Sequence, residues 1–170
     1  MGWLQDMAKA FADGFASATI DSVRAGHPQS QSPLDPALVE RLCREVGWGV
    51  DERLGDTIVL HFKDSVMGIR KISIYCGSRL MALRVYSAAS ISPRQITAEI
   101  MAYLLVRNGE MGFAAWQAFE AENGNAGFAL ASNLLMAGVD AAVFKYTCET
   151  MVIEMNAFDT KMQAAGLLRN

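Results

Sequence analysis

The stretch FAAWQAFEAENGNAGFALASNLLMAGVD, residues 113–140, running into AAVFKYTCETMVIEMNAF, residues 141–158, decides the architecture. Two apolar runs, 113–119 and 127–135, flank Glu120–Asn125 and are short enough to be strands rather than helices. The Asn123-Gly124 pair between them tolerates positive φ, so a tight hairpin is the local expectation. Asp140 then caps a long helix. Phe144, Cys148, Met151, Met155, Phe158 and Met162 recur at helical spacing along it, and Gly166 lies near its end. Two hairpin strands feeding a helix signal a sheet built from successive strands, not a βαβ alternation.

Working back toward the N-terminus, Ser92-Pro93-Arg94-Gln95 reads as a capping box with proline at the first helical position. The helix it opens would bury Ile96, Ile100, Tyr103 and Leu104 and stop at Asn108-Gly109. Three strand-like runs precede it, at 57–63, 69–76 and 80–86, with Gly77-Ser78 as a short antiparallel connection. Asp35-Pro36 starts a helix with Leu38, Val39, Leu42 and Val46 as its buried stripe and Gly47 as its end. The expected fold is therefore α+β. A five-stranded antiparallel sheet carries helices in the order α-βββ-α-ββ-α, with one extra N-terminal helix.

That extra helix covers residues 1–25, where Leu4, Ala8, Phe11, Phe15 and Ala18 form an apolar stripe flanked by Trp3 and Met7. Residues 26–34, GHPQSQSPL, read as a linker, which leaves 35–170 as the main domain. The order of elements from 35 to 165, and above all the hairpin-then-helix at 113–158, resembles the YbjN-like family and the class I type III secretion chaperones. The resemblance implies a dimerising or partner-binding domain without catalysis, whose sheet and helices offer apolar patches to an extended client peptide.

Composition agrees with a single globular domain: 170 residues, 52% hydrophobic, 19% charged, with ten Met and a net charge of -3. The acidic balance argues against nucleic acid as a partner. Cys43, Cys76 and Cys148 form no CxxC pair, so neither a disulfide framework nor a zinc site is expected, and the reading is cytoplasmic. No basic n-region or apolar stretch of spanning length is present.

No catalytic or metal-binding constellation emerges, and no cofactor is expected. His27 and His61 belong to no ligand spacing, and no GxSxG elbow exists. Glu149, Glu154 and Asp159 recur every five residues and so spiral around their helix, while Lys145 and Glu149 form an i, i+4 surface pair. Lys63, Arg70, Lys71, Arg79 and Arg84, interleaved with Tyr75 and Tyr86, read as a solvated sheet face or as a site for an acidic partner.

The stronger anomaly is apolar surplus. Both alternation faces of the last two strands are apolar, so another layer or another chain must cover one of them. Phe11 and Phe15 packed against Trp116 would be an intramolecular cover; a homodimer interface is the alternative. Met151 and Met155 fit either a core or a surface that repacks around partners. The functional expectation is a non-enzymatic protein-binding domain, chaperone-like or regulatory. Its partner-binding residues would be Phe11, Phe15, Trp116, Met151 and Met155. A small-ligand or sensory domain with an apolar pocket between sheet and last helix is the alternative.

Overall fold

A computed structural model describes residues 36–77, 79–121 and 123–168. The expected N-terminal helix at 1–25 and linker at 26–34 lie outside the described residues. The elements run α1 (Pro36–Glu45), β1 (Glu52–Leu54), β2 (Thr57–Asp64), β3 (Gly68–Cys76), β4 (Leu80–Ile91), a 3-10 turn (Pro93–Gln95), α2 (Ala98–Glu110), β5 (Ala115–Glu120), β6 (Ala126–Leu135) and α3 (Ala141–Ala164). The sheet has six strands in the order β1-β2-β3-β4-β6-β5, every neighbouring pair antiparallel. The α+β class and the three helices match expectation, but the strand count is six rather than five. Strand β1 spans only three residues and folds back through Gly55, whose φ is +59°, which is too short to show an alternation pattern.

Helix ends follow the chemistry read from the sequence. At Gly47, φ is +77°; Trp48 N donates to Cys43 O at 2.8 Å and Gly47 N to Arg44 O at 3.2 Å, a Schellman closure. Gly166 repeats the arrangement for α3, with Leu167 N on Met162 O and Gly166 N on Gln163 O, both at 2.9 Å. Asp140 caps α3 by accepting from Val143 N at 2.8 Å.

The Ser92 box behaves differently. Ser92 N donates to Gln95 Oε1 at 3.0 Å, but the segment closes only a 3-10 turn before Ile96 becomes extended. Thr97 is the true cap of α2, accepting from Ile100 N at 3.3 Å, and α2 continues past Asn108-Gly109 to Glu110. The β5–β6 loop also departs from a two-residue turn. Ala121 N donates to Asn125 O at 2.8 Å, and Gly124 takes positive φ, at +73°.

All three helices pack on one face of the sheet. Strand residues of one parity, including Ile58, Leu60, Ile72, Ile74, Leu83 and Phe128, join Val39, Leu42, Phe144, Met151, Met155 and Phe158 in one continuous core. Burying each such large side chain contributes about 1.5–3 kcal/mol of gross hydrophobic free energy.

Candidate functional site

The opposite sheet face is uncovered by any described element. Pairing in register places Tyr75, Leu80, Tyr86, Phe119 and Leu135 on it. Leu80 and Leu135 are direct cross-strand partners, 44% and 68% exposed. Tyr86 and Phe119 meet edge to face at 5.8 Å. Phe119 lies across Gly127, its cross-strand partner, where an added Cβ would come within 2.5 Å of the ring. Glycine at 127 is thus what lets an aromatic ring lie flat on the outer surface.

The charges on this face are mostly cationic. Lys71 donates to Glu52 at 2.6 Å, and Glu52 also lies 2.8 Å from His61 Nε2. Lys63 and Arg84 have no ion-pair partner among the described residues. Aromatic rings beside uncompensated cations suit an apolar segment that carries acidic residues.

Arg70, expected on this face, is instead on the core side, in step with Ile72 and Ile74. Its side chain is 1% exposed; Nε donates to Asp64 Oδ2 at 2.6 Å and Nη1 to Asp159 Oδ2 at 2.7 Å. Nη1 also reaches Tyr86 O at 2.9 Å. The cluster sits where β4 bulges between Tyr86 and Ser90 and parts from β3. Asp159 fills the gap, accepting from Ala88 N at 3.1 Å and from the Ser87 hydroxyl. Asp64 accepts from Val66 N and Met67 N, each at 2.7 Å, which shapes the β2–β3 turn. Burial alone would raise the Asp64 carboxyl, but the Met67 amide, the Arg70 guanidinium and the Val66 amide outweigh it and hold it below its ordinary value.

Both sheet edges are guarded. At the short β1 edge, Arg53 pairs with Glu40 of α1 at 2.9 Å. At the β5 edge, the Asn108 side-chain amide imitates a neighbouring strand: Oδ1 accepts from Trp116 N at 2.5 Å and Nδ2 donates to Trp116 O at 3.3 Å. Strand addition therefore meets an occupied edge at Trp116.

Among the described residues no group of three or more His, Cys, Asp or Glu could hold a metal ion. All three cysteines are buried. Burial, with the Asp51 and Glu40 carboxylates adding to it, pushes the Cys43 thiol up to about 11, and burial raises Cys148 further still. Thiols held protonated in this way are packing groups rather than nucleophiles. No described helix is long and apolar enough to cross a membrane.

Neither a family model nor a curated protein sequence matches the chain. Solved structures do. YbjN from E. coli, a proposed transcription regulator, superposes with a TM-score of 0.58 at 14% identity, over 79% of this chain and 95% of that one. The fold is YbjN-like. The HopA1-SchA chaperone–effector complex contains a chain with a TM-score of 0.54 at 8% identity, over 75% of this chain and 99% of its own. An uncharacterised protein from Methanothermobacter thermautotrophicus gives 0.51 at 13% identity, over 79% and 99%. What is shared at these identities is the fold.

Within this YbjN-like fold, the described members of the expected partner-binding set, Trp116, Met151 and Met155, are not surface residues. Met151 and Met155 are fully buried and Trp116 nearly so, all in the chain's own core. The Trp116 ring lies 4.7 Å from that of Phe158, on the helix side of the sheet. Phe11 and Phe15 themselves lie outside the described residues. Between sheet and last helix, Phe128, Met151 and Phe158 belong to the buried core.

The outer-face residues Tyr86, Phe119 and Leu135 carry the uncovered surface instead. Their strand parity was legible, but which parity would face the helices was not.

Proposed function

We propose that the chain is a non-enzymatic, cytoplasmic protein-binding domain, chaperone-like or regulatory, that holds an apolar segment of a partner polypeptide against the outer face of its sheet. The observation that carries this reading is the exposed set Tyr75, Leu80, Tyr86, Phe119 and Leu135 on a face that no described element covers. Larger exposed apolar patches mark interaction surfaces. The presence of the same fold in a chaperone–effector complex supports it. Affinity would come from the aromatic and leucine anchors, with Lys63 and Arg84 selecting acidic flanks.

The test is differential capture from the native cell followed by mass-spectrometric identification. Partners bound by the wild type and by Val143→Asp, an exposed control on the helix side, should be lost from the Tyr86→Asp/Leu135→Asp double variant. Equal capture by all three proteins would sink the proposal.

Self-association belongs to the helix side. Arg107 of α2 bridges to Glu154 of α3, and Val106 and Ile153 beside the bridge are 58% and 64% exposed. A homodimer across these helices would bury both, and Val106→Asp/Ile153→Asp should then sediment as a monomer.

One observation favours the small-ligand alternative. A groove of about 560 Å³ opens between the start of α2 and the end of α3, lined by Ile100, Tyr103, Phe158, Lys161 and Met162. Lys161 Nζ sits 4.3 Å from the centre of the Tyr103 ring at its rim. A native mass spectrum carrying a copurified small molecule, lost on Ile100→Asp, would promote this reading over the first.

A further inference from the structure

We propose that the groove between α2 and α3 and a smaller polar chamber at its end form one binding site, shaped for an amphiphile with an uncharged, hydroxyl-bearing head and an apolar chain. The proposal rests on the small-ligand reading of the groove and adds the chemistry of its ligand. It is independent of the partner-binding reading of the outer face. Three observations carry it.

The first is continuity. The chamber, of about 170 Å³, is lined by Ser90, Ser92, Gln95, Asn125, Gly166 and Leu167. Gln95 and Leu167 also line the groove of about 560 Å³, so the two spaces adjoin at these residues. The closure of α3 sets that junction. Gly166 turns at φ +70°, and Leu167 N donates to Met162 O at 2.9 Å, which brings Leu167 back against the end of the helix. Volumes of this order, roughly 300–1,000 Å³, are those of small-molecule sites.

The second is polarity. The groove is walled by Ile100, Tyr103, Phe158 and Met162, with the Tyr103 and Phe158 rings stacked, 5.9 Å between centroids and 29° between planes. The chamber is polar and carries no charged side chain among its described lining. Gln95 Oε1 accepts from Ser92 N at 3.0 Å, which leaves Gln95 Nε2 without a partner among the described residues. Gly166 also puts the chamber at the carboxyl end of α3, where the last carbonyls accept hydroxyls and the helix dipole disfavours anions. A neutral head that both donates and accepts fits such a chamber. A carboxylate there would lose its water without gaining a cation.

The third is the placement of charge. Lys161 lines the groove but not the chamber, and its Nζ stands 4.3 Å from the centre of the Tyr103 ring. Glu99 lines the same groove, so neither sign of charge dominates it. The chain of the ligand therefore lies on the aromatic wall, and its head turns past Gln95 and Leu167 into the chamber.

The test titrates monooctanoylglycerol, below its micelle concentration, into the purified full-length chain by calorimetry. It should bind about ten-fold more tightly than octanoate or octylammonium, whose heads are charged. It should also bind about ten-fold more tightly than monohexanoylglycerol, which buries two fewer methylenes. In nuclear magnetic resonance spectra the side-chain amides of Gln95 and Asn125 and the Leu167 methyls should shift, while the Tyr86 and Phe119 rings on the outer face should not. Ile100→Asp should abolish binding. Gln95→Met should erase the preference over octanoate and keep the dependence on chain length.

Three results would overturn the proposal. They are equal or tighter binding of octanoate or octylammonium, shifts confined to the outer face, and no binding by any of these amphiphiles. The first leaves the groove standing as a small-ligand site of other chemistry, whereas the last removes both readings of it. A native mass spectrum without a copurified molecule would count against the small-ligand reading alone and would not alter these titrations.

Discussion

Arg70 and Asp159, 89 positions apart, meet at 2.7 Å with both side chains almost wholly buried. One strand residue and one helix residue thereby lock β3, the β4 bulge and α3 together. Asp64 brings the cluster to two carboxylates for one guanidinium, so its balance depends on the amides of Val66, Met67 and Ala88 and the Ser87 hydroxyl.

Removing the cation should therefore hurt more than the number of bonds suggests. Arg70→Met leaves two buried carboxylates facing each other, and breaking a buried pair from one side costs about 3–5 kcal/mol. Urea unfolding should show that loss. Arg70→Met combined with Asp64→Asn and Asp159→Asn should recover part of it, because no charge is then left unpaired.

The acid limb of stability should report Asp64. Its folded carboxyl is held below the ordinary value, so the unfolded chain binds the proton more readily. The stabilisation is complete above the unfolded value, about 4, and is lost as pH falls through the lower folded one. Thermal melts at fixed ionic strength should show this group contributing no pH dependence near neutrality and a decline below pH about 4. Asp64→Asn should shallow that decline; an unchanged acid slope in the variant would rule out this assignment.

Asn108 should prove to be an edge guard rather than a helix stop. Asn108→Ala strips both partners from the Trp116 backbone and should lower stability by about 1–3 kcal/mol. The Trp116 amide should also exchange faster with solvent, and the freed edge should raise concentration-dependent association, read by light scattering.

Met155 separates packing from binding. Met155→Ala should lower stability by about 2–5 kcal/mol, as expected for a fully buried methionine. Sedimentation should show association unchanged. Tyr86→Asp/Leu135→Asp should instead lose captured partners while altering stability little, because both side chains are exposed.

Several features of the site were within reach of the sequence. Arg70 shares parity with Ile72, Ile74 and Cys76, and Asp64 with Ile58, Leu60 and Phe62. Asp159 adjoins Phe158 on the apolar stripe of α3. A charge in step with a buried stripe is the signal of an internal ion pair, and reading these residues as surface polarity overlooks it. Asn108 left no such trace, because its partner is a backbone eight positions away whose edge location depends on strand order.

The sequence by itself determined the α+β class, the three described α-helices, five of the six described strands, and the glycine closures at 47 and 166. These depend on local periodicity, caps and positive φ, which act within a few residues. The tertiary structure alone decided that Met151, Met155 and Trp116 belong to the core and that Tyr86, Phe119 and Leu135 form the open face. Alternation separates two faces of a strand but does not say which one the helices cover. That choice is made by packing between segments distant in the chain, where one layer of helices buries one parity and leaves the other without a described cover.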